Sequence, residues 1–343
     1  MPAQCGCVER DEEKMGILIL YLFGIAVLCA VGVSYIHTSF RRQNRTIMSP
    51  TMKRKLEPYL FLFPTLLLLL LMFGYPLINS FIMGFQNYKL TSPGSIRFNG
   101  LENFKKLFSD SDIWLIIRNS LVYVVASVGG QFLLGMTLAM VLKKQFRFRG
   151  LYQAIVFLPW SFSAFVIGLM HRWSFNGEYG VMNDILLNLD IVSEKIAWLG
   201  TPGLSLLVVI FAMIWMGVPF FAIMILAAMQ SIPEEVYEAS HLDGCGPVMR
   251  FVKITFPYIK PTVIVTILLR TIWIFNSFDL IVVITNGGPA NYSQTLPSYM
   301  YTKAFASYDF GLASALGVLL MIALVVYVTI FLKVTQYNKA GDF

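Results

Sequence analysis

Charge is what this sequence has least of. Asp, Glu, Lys and Arg make up only 13% of its 343 residues, about half the roughly 25% of an ordinary soluble domain. Histidine occurs three times, as the widely separated His37, His171 and His241. Scattered in that way, they read as surface or interfacial side chains. Cysteine occurs four times, at Cys5, Cys7, Cys29 and Cys245. Neither a zinc site nor a disulfide framework has that spacing, so they read as unpaired thiols. No G-x-x-x-x-G-K-[ST] stretch is present, which argues against a P-loop nucleotide site in this chain. Neither a Ser/His/Asp arrangement nor a His/Cys/carboxylate cluster with metal spacing can be found. The expectation is therefore a protein that is not an enzyme, with no metal and no cofactor of its own.

What fills the chain instead is apolar, at 57% of residues, which places it among integral membrane proteins. Seven runs have the roughly 20 residues a helix needs to cross a bilayer: about 15–35, 59–81, 119–142, 151–172, 204–230, 258–284 and 311–332. The net charge of +7 lies in the loops between them and does not point to nucleic acid. One set of loops carries dense clusters: Arg41, Arg42 and Arg45; Lys53, Arg54 and Lys55; Lys143, Lys144, Arg147 and Arg149; Arg250, Lys253 and Lys260; Lys333 and Lys339. The other set spreads fewer cations over more chain. Positive charge concentrates in the cytoplasm, so the first set is expected inside, with the C-terminus cytoplasmic.

The first run stands apart. Its N-terminal flank is acidic (Glu9, Asp11, Glu12, Glu13) and its C-terminal flank basic, which reads as an outside-to-inside anchor rather than a signal peptide. Translation starting at Met48 or Met52 is the other reading.

Residues 231–261, SIPEEVYEASHLDGCGPVMRFVKITFPYIKP, form the one long polar insertion that still reads as ordered structure. Ser231 and Glu234 have capping-box spacing, and Pro233 suits a first turn. Asp243-Gly244 reads as the stop of that helix. A second short helix is expected around Val248, Phe251 and Ile254, before Pro257 and Pro261 lead back into apolar chain.

These residues carry a resemblance. Glu238-Ala239-Ser240, then Gly244, then Ile254, Phe256 and Pro257 match the EAA loop of permease subunits in binding-protein-dependent ABC importers. Ser240 stands for the second Ala and Phe256 for Leu, with the spacing kept. Further segments resemble the sugar-uptake branch of that family (maltose, multiple-sugar and glycerol-3-phosphate types): Leu101 to Phe104, Phe157 to Trp160, and FNSFDLIVVITNGGPANYSQTLPSYMYTKAF from Phe275.

The resemblance implies an all-α polytopic protein, a six-helix type I importer core over 51–343. An additional N-terminal transmembrane helix would lie within 1–50. It implies ABC ATP-binding subunits that hydrolyse ATP, a second permease subunit, an extracellular or periplasmic solute-binding protein, and a sugar or sugar-like substrate. In the family the loop docks on the ATPase, which assigns Glu238, Ala239, Ser240, Asp243, Gly244, Ile254 and Pro257 to coupling.

The run at 258–284 holds Arg270 and Asp279 at membrane depth, where charge is costly and faces other helices or a watery path. As one helix, nine residues put the two on opposite faces, about 13 Å apart. Arg270, Asn276 and Asp279 are therefore candidates for a translocation path, with Trp273, Phe275 and Phe278 as stacking faces for a carbohydrate. Helix–helix bonding is the alternative. The small residues Gly311, Ala313, Ser314, Ala315 and Gly317 are expected to pack against the partner permease. An ion-gradient transporter with Arg270 and Asp279 as coupling charges is the competing function.

Overall fold

The structure, a computed structural model, describes residues 50–336; the expected anchor at 15–35 lies outside the described residues. Helix dominates. The one sheet among these residues is an antiparallel pair, β1 (Gln86–Asn87) with β2 (Arg97–Phe98). Among the described residues five helices are long and apolar enough to cross a membrane, and a bent pair makes six, which agrees with the core expected from the sequence.

The chain divides into two units after Ser80. In the first, α1 (Pro50–Leu69) enters a wide turn, Leu70–Gly74, that leads into α2 (Tyr75–Met83). The Tyr75 N–H reaches back to the Leu70 carbonyl, five residues away rather than four. Pro76 follows with no N–H to offer, and a wide turn is a common way to absorb such a gap.

In the second unit, which starts at Phe81, the β1–β2 pair is followed by a short amphipathic helix, α3 (Glu102–Ser109), as the segment around Leu101–Phe104 suggested. Buried Asn103 ties it down by donating to the carbonyls of Gly84 and Gln86 at 2.9 and 2.8 Å. Two long spans, α4 (Ile113–Lys143) and α8 (Leu204–Gln230), form the centre. Between them in sequence lie α5 (Arg149–Phe157), α6 (Ala164–Ser174) and α7 (Val181–Asn188).

The face of α4 turned inward is the less greasy one: Asn119, Ser120, Ser127, Gln131, Gly135 and Ala139 are buried while Leu121, Val122, Val125, Leu133 and Leu134 are exposed. In lipid, apolar side chains gain little by leaving the bilayer, so small and polar residues mark the packed face. At Gly135 a Cβ would strike Phe221 and the backbone of Val218 and Ala222. That glycine lets the two spans meet at backbone distance.

Several expectations need correction. The run at 151–172 is bent by 94° between residues 149–161 and α6. Pro159 lies in a tight turn, Leu158–Ser161, and Phe162 and Ser163 are extended. The hydroxyl of Ser163 then accepts from the Val166 N–H at 3.4 Å and starts the new helix.

Residues 258–284 are not one helix. The span begins earlier, at α10 (Pro247–Arg250), passes through a wide turn at Phe251–Thr255 and continues as α11 (Phe256–Asn276). The expected separate second helix of the polar insertion is thus the base of this span. Pro257 again follows directly on the residue closing the wide turn, whose N–H reaches the Phe251 carbonyl. At the far end the Asn276 side chain donates to the Ile272 carbonyl at 2.8 Å, competing with the helical backbone bond. Ser277 is extended, and α12 (Asp279–Ile284) starts afresh.

Of the small residues expected to pack against a partner in the last span, α14 (Phe310–Thr335), all but half-buried Gly317 are turned into this chain. Gly311, Ala313, Ser314 and Ala315 are buried, and a Cβ on Gly311 would strike the Gln86 carbonyl. His171, read from the sequence as a surface or interfacial side chain, is buried. Its Nδ1 lies 2.9 Å from the Ile167 carbonyl and its ring stacks on Phe175.

Candidate coupling loop and buried polar site

The polar insertion leaves α8 at Gln230. Ser231 does not form the expected capping box: its hydroxyl donates back to the Ala228 carbonyl at 2.9 Å, closing the preceding helix. The next helix, α9 (Glu234–Leu242), starts after extended Pro233 without a side-chain cap. Its end is as the sequence implied. Gly244 has φ +71°, its N–H bonds to His241 and the Cys245 N–H reaches back to Ser240, a glycine-dependent helix stop.

The loop is fastened to the spans rather than hung from them. Ile232 is buried in the main apolar core, and Val236, Tyr237 and Phe251 pack against it. Tyr237 Oη lies 3.1 Å from Thr255 Oγ1, and Lys143 Nζ sits 3.6 Å above the Tyr237 ring. Arg250 Nη2 donates to His241 Nδ1 and to the Cys245 carbonyl at 2.9 and 3.1 Å.

Of the residues singled out in this loop, Ala239, Ser240, Asp243 and Ile254 line one groove of about 360 Å³ together with Glu235 and Cys245. Ser240 is buried there, its hydroxyl donating to the Tyr237 carbonyl at 2.6 Å. Glu238 and Gly244 are exposed outside the groove, and Pro257 lies above it in the span. Pattern matching missed Leu242 and Val248, which stand 89% and 76% exposed at the tip. Leu242 adjoins acidic Asp243 in the chain, an apolar side chain left open in a charged loop.

The second set does not assemble as expected. Arg270 is buried, while Asn276 at the end of α11 and Asp279 just past it are exposed. Arg270 Nε donates to Gln131 Oε1 at 2.7 Å, and Gln131 Nε2 in turn donates to the Met213 carbonyl at 2.7 Å. Gly217 makes room, since a Cβ there would overlap both side chains. The guanidinium carbon lies 5.7 and 5.9 Å from the rings of Phe220 and Trp273, within cation–π range. Phe220 is bracketed by Trp160 and Trp273 at 5.8 and 5.3 Å. Of the three proposed stacking faces only Trp273 stands open; Phe275 packs into the core and Phe278 stacks on Tyr301. Gln131 and Gly217 carried the signal of a lone amide and a glycine within apolar spans.

On the other side of the spans the chain after α12 turns at Gly287, with φ +82°, and forms α13 (Leu296–Tyr301). Asn119 donates to the Tyr292 carbonyl at 3.0 Å, Asn291 to Asp112 at 2.7 Å, and Tyr299 to Asp110. Burial disfavours the charged Asp110 carboxylate, yet the Tyr299 hydroxyl, the Asp112 N–H and Lys303 outweigh it and hold the carboxyl below its usual range. Burial and the same carboxylate push the Tyr299 phenol upward. Fully buried Asn183 fixes the neighbouring turn through Gly177, Ile196 and Trp198.

Comparison with known proteins gives a consistent answer. Residues 131–336 match the family described as binding-protein-dependent transport system inner membrane component. A probable ABC transporter permease protein of Brucella suis is 33% identical over 84% of this chain and 99% of its own length. The sulfoquinovosyl glycerol transport system permease protein of Agrobacterium fabrum is 32% identical over 82% of this chain and 91% of its own. The trehalose/maltose transport system permease protein of Thermococcus litoralis is 30% identical, with 82% and 94% covered. Among solved structures, a bacterial ABC transporter involved in the import of alginate superposes with a TM-score of 0.73 at 24% identity, covering 83% of this chain and 97% of that one.

Proposed function

This chain belongs to the family of binding-protein-dependent transport system inner membrane components, and on that footing we propose that it is one permease subunit of an ABC importer for a sugar or sugar-like solute. Relatives named for sulfoquinovosyl glycerol and for trehalose and maltose support that substrate class. A solute-binding protein outside delivers the substrate, a second permease completes the path, and ATPase subunits inside bind and hydrolyse ATP. The C-terminus lies in the cytoplasm, in keeping with the distribution of Lys and Arg.

The observation that carries the coupling role is the groove in which Ala239, Ser240, Asp243 and Ile254 converge. Its base continues without a break into the span that ends at Asn276, so movement of the docked ATPase passes directly to the membrane. Trp273, Asn276 and Asp279 present an aromatic face, an amide and a carboxylate at the exposed end of that span. That chemistry suits the C–H faces and hydroxyls of a carbohydrate. Arg270 is a positioning residue of the bundle rather than an ion-coupling charge, since its partner is the neutral Gln131.

Gentle detergent extraction of the tagged chain from native membranes, followed by identification of what co-purifies, tests the proposal. Recovery of an ATPase subunit and a second permease is expected. A chain that comes down alone, where other ABC complexes survive, speaks for the ion-gradient transporter.

A further inference from the structure

A second cleft, of about 680 Å³, opens where four membrane-spanning segments end together. Lys143 and Lys144 stand at the end of α4 and Arg149 at the start of α5. Arg250 is in the first turn of the span that continues through α11. All four cations line the cleft, against the single carboxylate of Glu234. Neither Glu234 nor any other described carboxylate lies within ion-pair distance of them. The Nε atoms of Arg149 and Arg250 are shielded from solvent and have no hydrogen-bond partner. A shielded guanidinium N–H left unmade is costly, and a phosphate or carboxylate supplies what it lacks. The remainder of the wall is apolar, with Met140, Met229 and Phe251.

We propose that this cleft binds a phosphate-bearing anion, seated between Arg149 and Arg250, with Lys143 and Lys144 adding charge. An anionic phospholipid headgroup meets the site naturally, because a basic pocket between spans at their polar ends has the acyl region directly beside it. A free phosphate offers the same chemistry. Either ligand bridges α4–α5 to the α9–α10 loop, so its presence braces the element assigned above to coupling. Binding itself does not depend on that assignment.

The test uses the full chain, purified with whatever subunits accompany it and reconstituted in nanodiscs. Three compositions are compared: phosphatidylcholine alone, phosphatidylcholine with phosphatidylglycerol, and phosphatidylcholine with millimolar inorganic phosphate. Native mass spectrometry reads retained lipid, and thermal unfolding reads Tm. Phosphatidylglycerol is expected to be retained and to raise Tm, with a weakening of about fivefold for each cation removed. Arg149→Gln and Lys144→Gln, whose side chains make no hydrogen bond or ion pair with another described residue, are the informative variants. A Tm rise with inorganic phosphate in neutral lipid, lost in the same variants, assigns the site to a free anion and also supports the proposal. Equal retention and equal Tm in wild type and Arg149→Gln/Lys144→Gln overturn it. So does cross-linking that finds the cleft filled by acidic residues of a co-purifying subunit. Pull-down of ATPase and permease subunits is scored separately, so failure of the transport reading is distinguishable from failure of this one.

Discussion

Arg270 and Gln131, 139 positions apart, meet in the centre of the bundle at 2.7 Å with neither side chain open to solvent. A guanidinium that deep is normally matched to a carboxylate or a watery path. Here a neutral amide holds it, and the same amide is held by the Met213 carbonyl. Three helices are locked by one pair of side chains.

Removing Gln131 leaves the buried Arg270 without its best acceptor. Gln131→Leu is expected to lower stability by about 2 to 3 kcal/mol, the usual cost of stranding a charged hydrogen-bonding group. The double variant Gln131→Leu/Arg270→Met should recover much of it. Thermal unfolding of the four proteins as a double-mutant cycle gives the coupling; additive losses count against the bond.

Gly217 is spatially tied to the same pair. Gly217→Ala places a methyl where the Gln131 amide and Arg270 Nη2 already are, and overpacking of that kind costs about 1 to 3 kcal/mol. Gly129→Ala, one span away with no atom within 4 Å of the added carbon, should be neutral or slightly stabilising. Equal Tm values for the two variants would remove the steric argument.

Gly244 lies in the left-handed region with open space around it, so a side chain there is strained by backbone alone, at about 1 to 2 kcal/mol. Gly244→Val is expected to abolish uptake while leaving membrane insertion intact. Gly244→Asn, which tolerates the conformation better, should retain part of the transport. Full uptake by the valine variant would count against the coupling role.

Leu242→Ser tests the exposed tip. With the side chain 89% exposed, the substitution should leave Tm unchanged. It should reduce the amount of ATPase that co-purifies, because an apolar anchor at an interface centre contributes more than its charged rim. Undiminished recovery would locate the docking energy elsewhere.

Acid sensitivity should trace to Asp110. Its folded-state pKa is depressed, so the stability it contributes is present above the unfolded value of about 3.9 and is lost as pH falls through the lower folded value. Asp110→Asn is expected to flatten the acid limb of the Tm-versus-pH curve. Tyr299→Phe should have a similar effect, since its hydroxyl is the Asp110 donor. An unchanged acid limb in both would exclude the pair as its source.

The membrane spans were legible because length and apolarity alone decide them; 204–230 came out at its observed limits. The Gly244 stop was legible for a similar reason, since local backbone conformation dictates the residue. Breaks were harder to read. The polar residues Asn276, Ser277 and Asp279 sit between 258–276 and 279–284, but three polar residues so close together read equally well as a polar patch on one helix. The break shows only in the extended backbone of Ser277 beside the Asn276 side-chain bond to Ile272. The extra length at the base of the same span was hidden by Pro257, which reads as a breaker in sequence and is absorbed by a wide turn in the fold. Ser231 matched a capping pattern but serves the helix before it. The Arg270–Gln131 contact lay out of reach because its partners are 139 residues apart.

The continuity of Pro247–Asn276 has a mechanical consequence. Thirty helical residues make a rod about 45 Å long; with the pivot at the wide turn, the 21 residues of α11 form an arm of about 32 Å, and a tilt of roughly 10° carries its end about 5 to 6 Å. The groove and the wide turn occupy the short arm of this lever, and Trp273 and Asn276 occupy the long one. Under the proposed coupling role, a small rotation at the loop is geared up into a displacement about as wide as a sugar ring, without any helix having to unwind.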